Sequence, residues 1–142
     1  MELRWIGHGT PDYREAVALR RRVLRLPLGL DFLPEQLAAE DADLHLGAFE
    51  GDRLVGCLLL TDRGDGVVQM RQVCVDPDRQ GSGVGAALVR ESEAEARRRG
   101  HRRMMLHARD RAVGFYRRLG YREVGEPFVE VSIPHQEMER EL

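Results

Sequence analysis

Val73-Cys74-Val75-Asp76-Pro77-Asp78-Arg79-Gln80-Gly81-Ser82-Gly83-Val84-Gly85 carries the chain out of a valine-rich strand, through a polar turn, and into a helix. Asp76-Pro77 ends the strand, because proline offers no amide to a ladder. Three glycines at alternate positions let the backbone come within hydrogen-bonding distance of a ligand, and the unpaired amides of the helix start attract an anion. A phosphate is expected there. A Walker loop is excluded, since Gly81 to Ala87 holds no lysine and Ser82 stands too early to hold magnesium. Gly81, Gly83 and Ala86 satisfy the spacing of a dinucleotide-binding fingerprint, with Asp110 after a later strand. The polar loop before those glycines is long for that turn, however, and too few strands remain after Arg99 to complete a doubly wound sheet. A glycine turn that merely caps a helix is the bland alternative.

Upstream of the loop, Val67 to Val75 reads as a central strand. Leu44 to Phe49 and Leu54 to Thr61 form a hairpin across Glu50-Gly51-Asp52-Arg53, and a second turn lies at Arg63-Gly64-Asp65-Gly66. At the N-terminus, Leu3 to Ile6 is a strand. Thr10-Pro11 then caps a helix running to about Leu24, and Pro34 starts a short helix through Ala39. Downstream, Ala86 to Arg99 has the composition of a helix, with Glu93–Arg97 and Glu95–Arg99 in the favourable i,i+4 order and Gly100 as C-terminal cap. Met104 to Ala108 is a strand. Asp110 opens a helix whose Ala112, Phe115, Tyr116 and Leu119 share one face before Gly120 ends it. Strands at Tyr121 to Val131 and about Gln136 to Glu141 close the chain. One domain with no linker or repeat is expected.

The balance of charge narrows the function classes. Twenty-two basic residues, all arginine, face 24 acids for a net charge of -2. That excludes a general polyanion binder, because neutralising many phosphates needs a basic excess. The runs Arg20-Arg21-Arg22, Arg97-Arg98-Arg99 and Arg102-Arg103 read as solvated faces, which leaves nucleic acid as an unlikely partner. Met1 to Arg14 contains no apolar run, so neither a signal peptide nor a membrane anchor is expected, and the cytoplasm is the default location. Cys57 and Cys74 lie in apolar strands as small hydrophobes, and no Cys/His spacing points to a metal.

The strand ending in Val75-Asp76-Pro77, followed by Gln80, Gly83 and Gly85, resembles the coenzyme A motif Q/R-x-x-G-x-G/A of the GNAT acetyltransferase superfamily. Leu106 to Tyr121 looks like the same family's strand followed by A-x-x-F-Y-x-x-L-G-F/Y. Phe128 to Met138 resembles the E-x-x-I-P-H-x-x-M ending of its small ElaA-like members. The resemblance implies an α+β fold: a mixed, mostly antiparallel twisted sheet of about six or seven strands, flanked by about four helices, with a splayed central strand pair. It also implies acetyl-coenzyme A as cosubstrate and no metal. By the same resemblance the cofactor is held by Val73, Cys74, Val75, Arg79, Gln80, Gly81, Ser82, Gly83, Val84 and Gly85, together with Ala112 and Phe115. The turn's amides would cradle the pyrophosphate, and the free amides of Val73 and Val75 would meet the acetyl oxygen and pantetheine.

Tyr116 occupies the position of the family's tyrosine, which protonates the departing thiolate; packing in the core is its structural alternative. Aminolysis of a thioester also needs a neutral amine. Glu130, His135 and His107 are the candidate bases, while Gln69 and Arg71 stand where some members place a glutamate, so deprotonation through water or by the substrate is an alternative. The expected partner is a small-molecule or peptide amine, with no membrane; a homodimer is compatible with the resemblance. A module of the same fold that binds acyl-coenzyme A without turnover is the alternative to an enzyme.

Overall fold

The computed structural model describes all 142 residues, and its centre is a seven-stranded sheet in the order β1-β2-β3-β4-β5-β7-β6. The strands are β1 (Glu2–Ile6), β2 (Leu44–Glu50), β3 (Arg53–Gly64), β4 (Val67–Val75), β5 (Arg103–Arg109), β6 (Arg122–Glu130) and β7 (Ile133–Glu141). Every neighbouring pair is antiparallel except β4 and β5, which run parallel. The crossover that parallel pairing demands is α3 (Val84–Arg98). With α1 (Pro11–Arg20), α2 (Pro34–Ala38) and α4 (Val113–Arg118), this is the mixed α+β sheet with four helices implied by the resemblance.

Two apolar clusters cover opposite faces of the sheet. Val84, Leu88 and Val89 of α3 pack with Tyr116 of α4 over Met70, Met104, Leu106 and Met138. Ala16, Val17 and Leu19 of α1 pack over Phe49, Leu54, Cys57 and Cys74. The two cysteines are buried and free, with sulfurs 3.6 Å apart. α1 is tied down by a buried ion pair. The Arg20 guanidinium donates to both Glu40 oxygens, at 2.8 and 2.6 Å, and the Tyr13 hydroxyl donates to Oε1 at 2.8 Å.

Two local expectations need correction. The first helix stops its regular winding at Arg20 and continues as one wide turn, Arg21–Arg25, before Leu26-Pro27-Leu28 breaks it. In α3, Glu95 pairs with Arg99 at 2.8 Å as expected, but Glu93 faces the sheet. It lies 1% exposed and accepts from Arg140 at 2.6 Å, Tyr121 at 2.7 Å and Arg90 at 2.9 Å, leaving Arg97 without it. A buried carboxylate takes the partners that desolvate with it, and here those are Arg140 of β7 and Tyr121 just before β6, with Arg90 of α3 itself at the rim.

The feature that shapes the site is in β4. Between Cys57 and Leu59 of β3 the partner strand advances from Cys74 back to Arg71, three residues against two, so β4 holds one extra residue. Gln72 in that bulge has φ of +56°, a left-handed conformation for a residue that carries a side chain. β4 pairs with β5 only through Val67–Met70 against Arg103–Leu106. Beyond the bulge each strand stays bonded on its outer side, Cys74 to Cys57 and Arg109 opposite His135, while the two separate from each other. The separation opens a cleft of about 970 Å³, the upper end of the size range of small-molecule sites.

Candidate active site

The glycine turn forms one end of this cleft. Gly81 and Gly83 have φ of +80° and +92°, and a Cβ built at either would meet no atom of the chain within 4 Å. Only glycine adopts such angles without strain, so these positions are shaped for backbone approach from outside. Gly83 caps α3 without any capping side chain, and the amides of Gly81, Gly83 and the first turn of α3 find no acceptor within the chain. The amide of Ser82 differs, turning inward to Arg79 O at 3.3 Å.

Side chains around the turn serve to hold it. Gln80 donates from Nε2 to Val75 O at 3.2 Å, Ser82 Oγ donates to Arg79 O, and Arg79 Nε donates to Glu50 at 2.6 Å. Asp76 accepts from the Asp78 amide at 3.0 Å and from Arg22 and Arg53 at 3.1 and 3.0 Å. The Asp78 amide bond and the two guanidiniums hold its carboxyl below the ordinary range. Thus Arg79, Gln80 and Ser82 present the turn's main chain, and their own polar ends are occupied. Val84 points into the core, whereas Gly85 stands 3.3 Å, measured from a built Cβ, from the Phe115 ring.

The walls are the diverging strands and α4. Val73 and Val75 line the cleft and lean toward the α3 face, and Cys74 turns to the α1 face. Ala112, Phe115 and Tyr116 line the opposite wall. Tyr116 is 7% exposed, its ring edge-on to Phe115 and Tyr121, and its hydroxyl makes no hydrogen bond within the chain. Burial pushes its phenol well above the ordinary value. Gln72 adds an orphan: its Oε1 is buried without a hydrogen-bond partner on a residue that lines the cleft.

The three candidate bases, Glu130 and His135 from one hairpin and His107 from β5, converge on the α1 face of the sheet. His107 Nδ1 lies 3.2 Å from Glu130 Oε1, and His135 Nε2 lies 3.7 Å from Glu130 Oε2. His135 Nδ1 is 2.8 Å from Ile133 O, an acceptor only, so Nδ1 carries the proton and Nε2 the lone pair in the neutral ring. Phe128 stacks on His135 and meets His107 edge-on, fixing both rings. The hairpin that delivers Glu130 turns at Val131 and Ser132, with φ of +46° and +64°. A β-branched residue in that region stores strain, a feature that concentrates at functional sites. Gln69 accepts from Arg63, and Arg71 donates to Thr61 at 3.1 Å, so β4 supplies no carboxylate here.

A family profile described as "Acetyltransferase (GNAT) domain" matches residues 29–142. The chain belongs to the GNAT acetyltransferases. Within that family it is 30% identical over 100 residues to an uncharacterized N-acetyltransferase, YjcF, of Bacillus subtilis, covering 70% of this chain and 71% of that one. Its fold superposes on an acyl-CoA N-acyltransferase from Pseudomonas aeruginosa with a TM-score of 0.80 at 25% identity, covering 98% of each chain. Escherichia coli ElaA gives a TM-score of 0.82 at 21% identity over 98% of each chain, a likeness of fold. No helix is long and apolar enough to cross a membrane.

Three cleft residues had no sequence signal of their own. Gln72 sits in a bulge that valine-rich composition hides, and Arg25 and Arg109 come from separate elements. An arginine next to a strand end is common; only the fold brings these two together.

Proposed function

We propose that this GNAT acetyltransferase is a single catalytic domain that moves the acetyl group of acetyl-coenzyme A to a primary amine by direct attack within a ternary complex. The observation that carries the reading is the opening of β4 from β5 at the Gln72 bulge, next to a turn whose Gly81 and Gly83 amides have no partner in the chain. The dimensions and donors suit a pyrophosphate at Gly81 to Gly85 and an extended pantetheine arm between Val73–Val75 and the β5–α4 wall. Oriented amides at a helix start favour the diphosphate charge without reorganising.

The amine must lose a proton, and the thiolate must gain one. His135 Nε2 is the base: it carries the lone pair on a residue that lines the cleft, and the imidazolium formed on proton uptake is steadied by Glu130 at 3.7 Å. Glu130 is in turn oriented by His107. Attack of the amine nitrogen on the thioester carbon forms the C–N bond, and collapse breaks the C–S bond. Tyr116, which burial keeps protonated, donates its hydroxyl proton to the sulfur. Holding both reactants in one cleft supplies several kcal/mol by itself.

A second reading, a module that holds acyl-coenzyme A without turnover, draws on the absence of a carboxylate at Gln69 and Arg71. Thiol release from acetyl-coenzyme A across a panel of amines, beside calorimetry of coenzyme A binding, separates the two. Binding with no thiol release from any amine refutes the enzyme, and no binding refutes both.

A further inference from the structure

The cleft is strongly polarised. Arg25, Arg63, Arg71, Arg79, Arg109 and Arg111 line it against one acid, Glu130, in a chain whose net charge is -2. Two of these cations are already accounted for: Arg79 is bound to Glu50, and Arg63 lies against Gln69. Arg111 precedes α4 on the coenzyme side. Arg25, Arg71 and Arg109 remain.

These three lie on the α1 face, away from the glycine turn that heads α3. Arg25 ends the wide turn after α1 and rests over the Phe32 ring at 4.9 Å, with no hydrogen-bond acceptor. Arg109 donates only to Leu24 O at 3.2 Å. Arg71 holds Thr61 at 3.1 Å and reaches Asp43 only at 3.7 Å. All three are half-buried, and Arg25 and Arg109 have no carboxylate partner. Burial first, then neighbouring guanidiniums, Arg20 and Arg71 for Arg25 and Arg111 and Arg25 for Arg109, push both below the ordinary arginine value, in Arg25 against the attraction of Glu130 and Glu40. Guanidinium nevertheless stays charged at any physiological pH, so two half-buried cations without a bonded carboxylate favour a further anion beside them. Planar forks converging from three elements suit an oxyanion, which they bind bidentately.

We infer that the acceptor amine carries its own oxyanion, a carboxylate or a phosphate, bound by Arg25, Arg71 and Arg109. The inference rests on the acetyl-transfer reading and adds the acceptor's chemical class. Arg109 pairs directly with His135 across β5 and β7, which places their backbones about 5 Å apart. Amine and oxyanion are therefore held from neighbouring positions on one face of the sheet, which a compact acceptor such as an α-amino acid or a short aminoalkyl phosphate can bridge. Polyamines and aminoglycosides, which carry only positive charge, are disfavoured by the same field.

The test uses the full chain and matched probes: alanine against alaninamide, 2-aminoethyl phosphate against ethanolamine, and spermidine. The anionic member of at least one pair should show kcat/KM at least tenfold above its uncharged or cationic counterpart, and the pair that does so tells carboxylate from phosphate. Arg25→Gln and Arg109→Gln should each collapse that ratio toward one, chiefly through KM, with calorimetric affinity for acetyl-coenzyme A retained. Two results overturn the inference while leaving acetyl transfer intact: preference for alaninamide, ethanolamine or spermidine, or variants that weaken acetyl-coenzyme A binding instead of acceptor use. The second would mean that the arginines grip the nucleotide. If no amine is acetylated, calorimetry of alanine and 2-aminoethyl phosphate on the coenzyme A-loaded protein still decides. Binding lost in both variants upholds the oxyanion site, and no binding removes it.

Discussion

Replacing Gly83 with alanine tests the phosphate cradle, because the structure separates its two consequences. At φ of +92° any side chain suffers the clash of the left-handed region, about 1–2 kcal/mol. Yet the added Cβ meets nothing of the protein within 4 Å, so no further packing is disturbed. Against a typical stability of about 5–15 kcal/mol the variant stays folded, with a midpoint lowered by roughly 3–10 °C. The methyl group projects into the space a diphosphate would occupy. Losing one charge-assisted bond of about 1.5–3 kcal/mol weakens coenzyme A binding roughly 10- to 100-fold. Gly100 supplies the control. It has φ of +87°, also with nothing within 4 Å, and it caps the far end of α3. Gly100→Ala should show the same thermal loss with unchanged affinity. Calorimetry on both variants checks this, and equal coenzyme A binding by Gly83→Ala and Gly100→Ala would refute the cradle.

Tyr116→Phe should lower kcat on the order of 100-fold with coenzyme A affinity and thermal midpoint retained, since the hydroxyl has no partner in the chain. Burial raises the phenol's pKa, so it stays protonated through the assay range, and the pH–rate profile should contain no alkaline limb that the variant removes. His135→Gln should cut kcat/KM by at least tenfold while leaving coenzyme A affinity in place; turnover equal to the parent's would exclude Nε2 as base. Arg20→Met should cost about 3–5 kcal/mol at neutral pH in denaturant titrations, because Glu40 is left buried and unpaired. In the parent, burial raises the Glu40 carboxyl but the Arg20 bonds and charge outweigh it and bring it below the ordinary value. That stabilisation is present above the unfolded value of about 4.3 and fades as pH falls through the folded one. The gap between variant and parent should therefore narrow in acid.

Local chemistry made much of this molecule legible in its sequence. The proline after Asp76, the alternating glycines and the Ala112–Leu119 face have short-range causes, and the corresponding elements stand where those causes place them. Glu93 was misread for the opposite reason. Its i,i+4 neighbour Arg97 is a local partner, whereas Arg140 and Tyr121 reach it only after the sheet forms. The same limit applies to the site. His107, Glu130 and His135 each drew notice singly, but their mutual distances depend on β5 pairing with β7 and on the Val131–Ser132 turn. Arg25 and Arg109 had no mark until burial without a carboxylate gave them one.

The supernumerary residue in β4 has a further consequence. Removing Gln72 would restore a two-for-two match with β3, with Val73, Cys74 and Val75 keeping the sides they already face. β4 and β5 would then be free to zip together along their whole length, giving a flatter and sounder sheet with nowhere to put a thioester. Such a deletant should gain thermal resistance as it loses its chemistry, so that what looks like a flaw in the ladder is the reason the scaffold has an inside to work with.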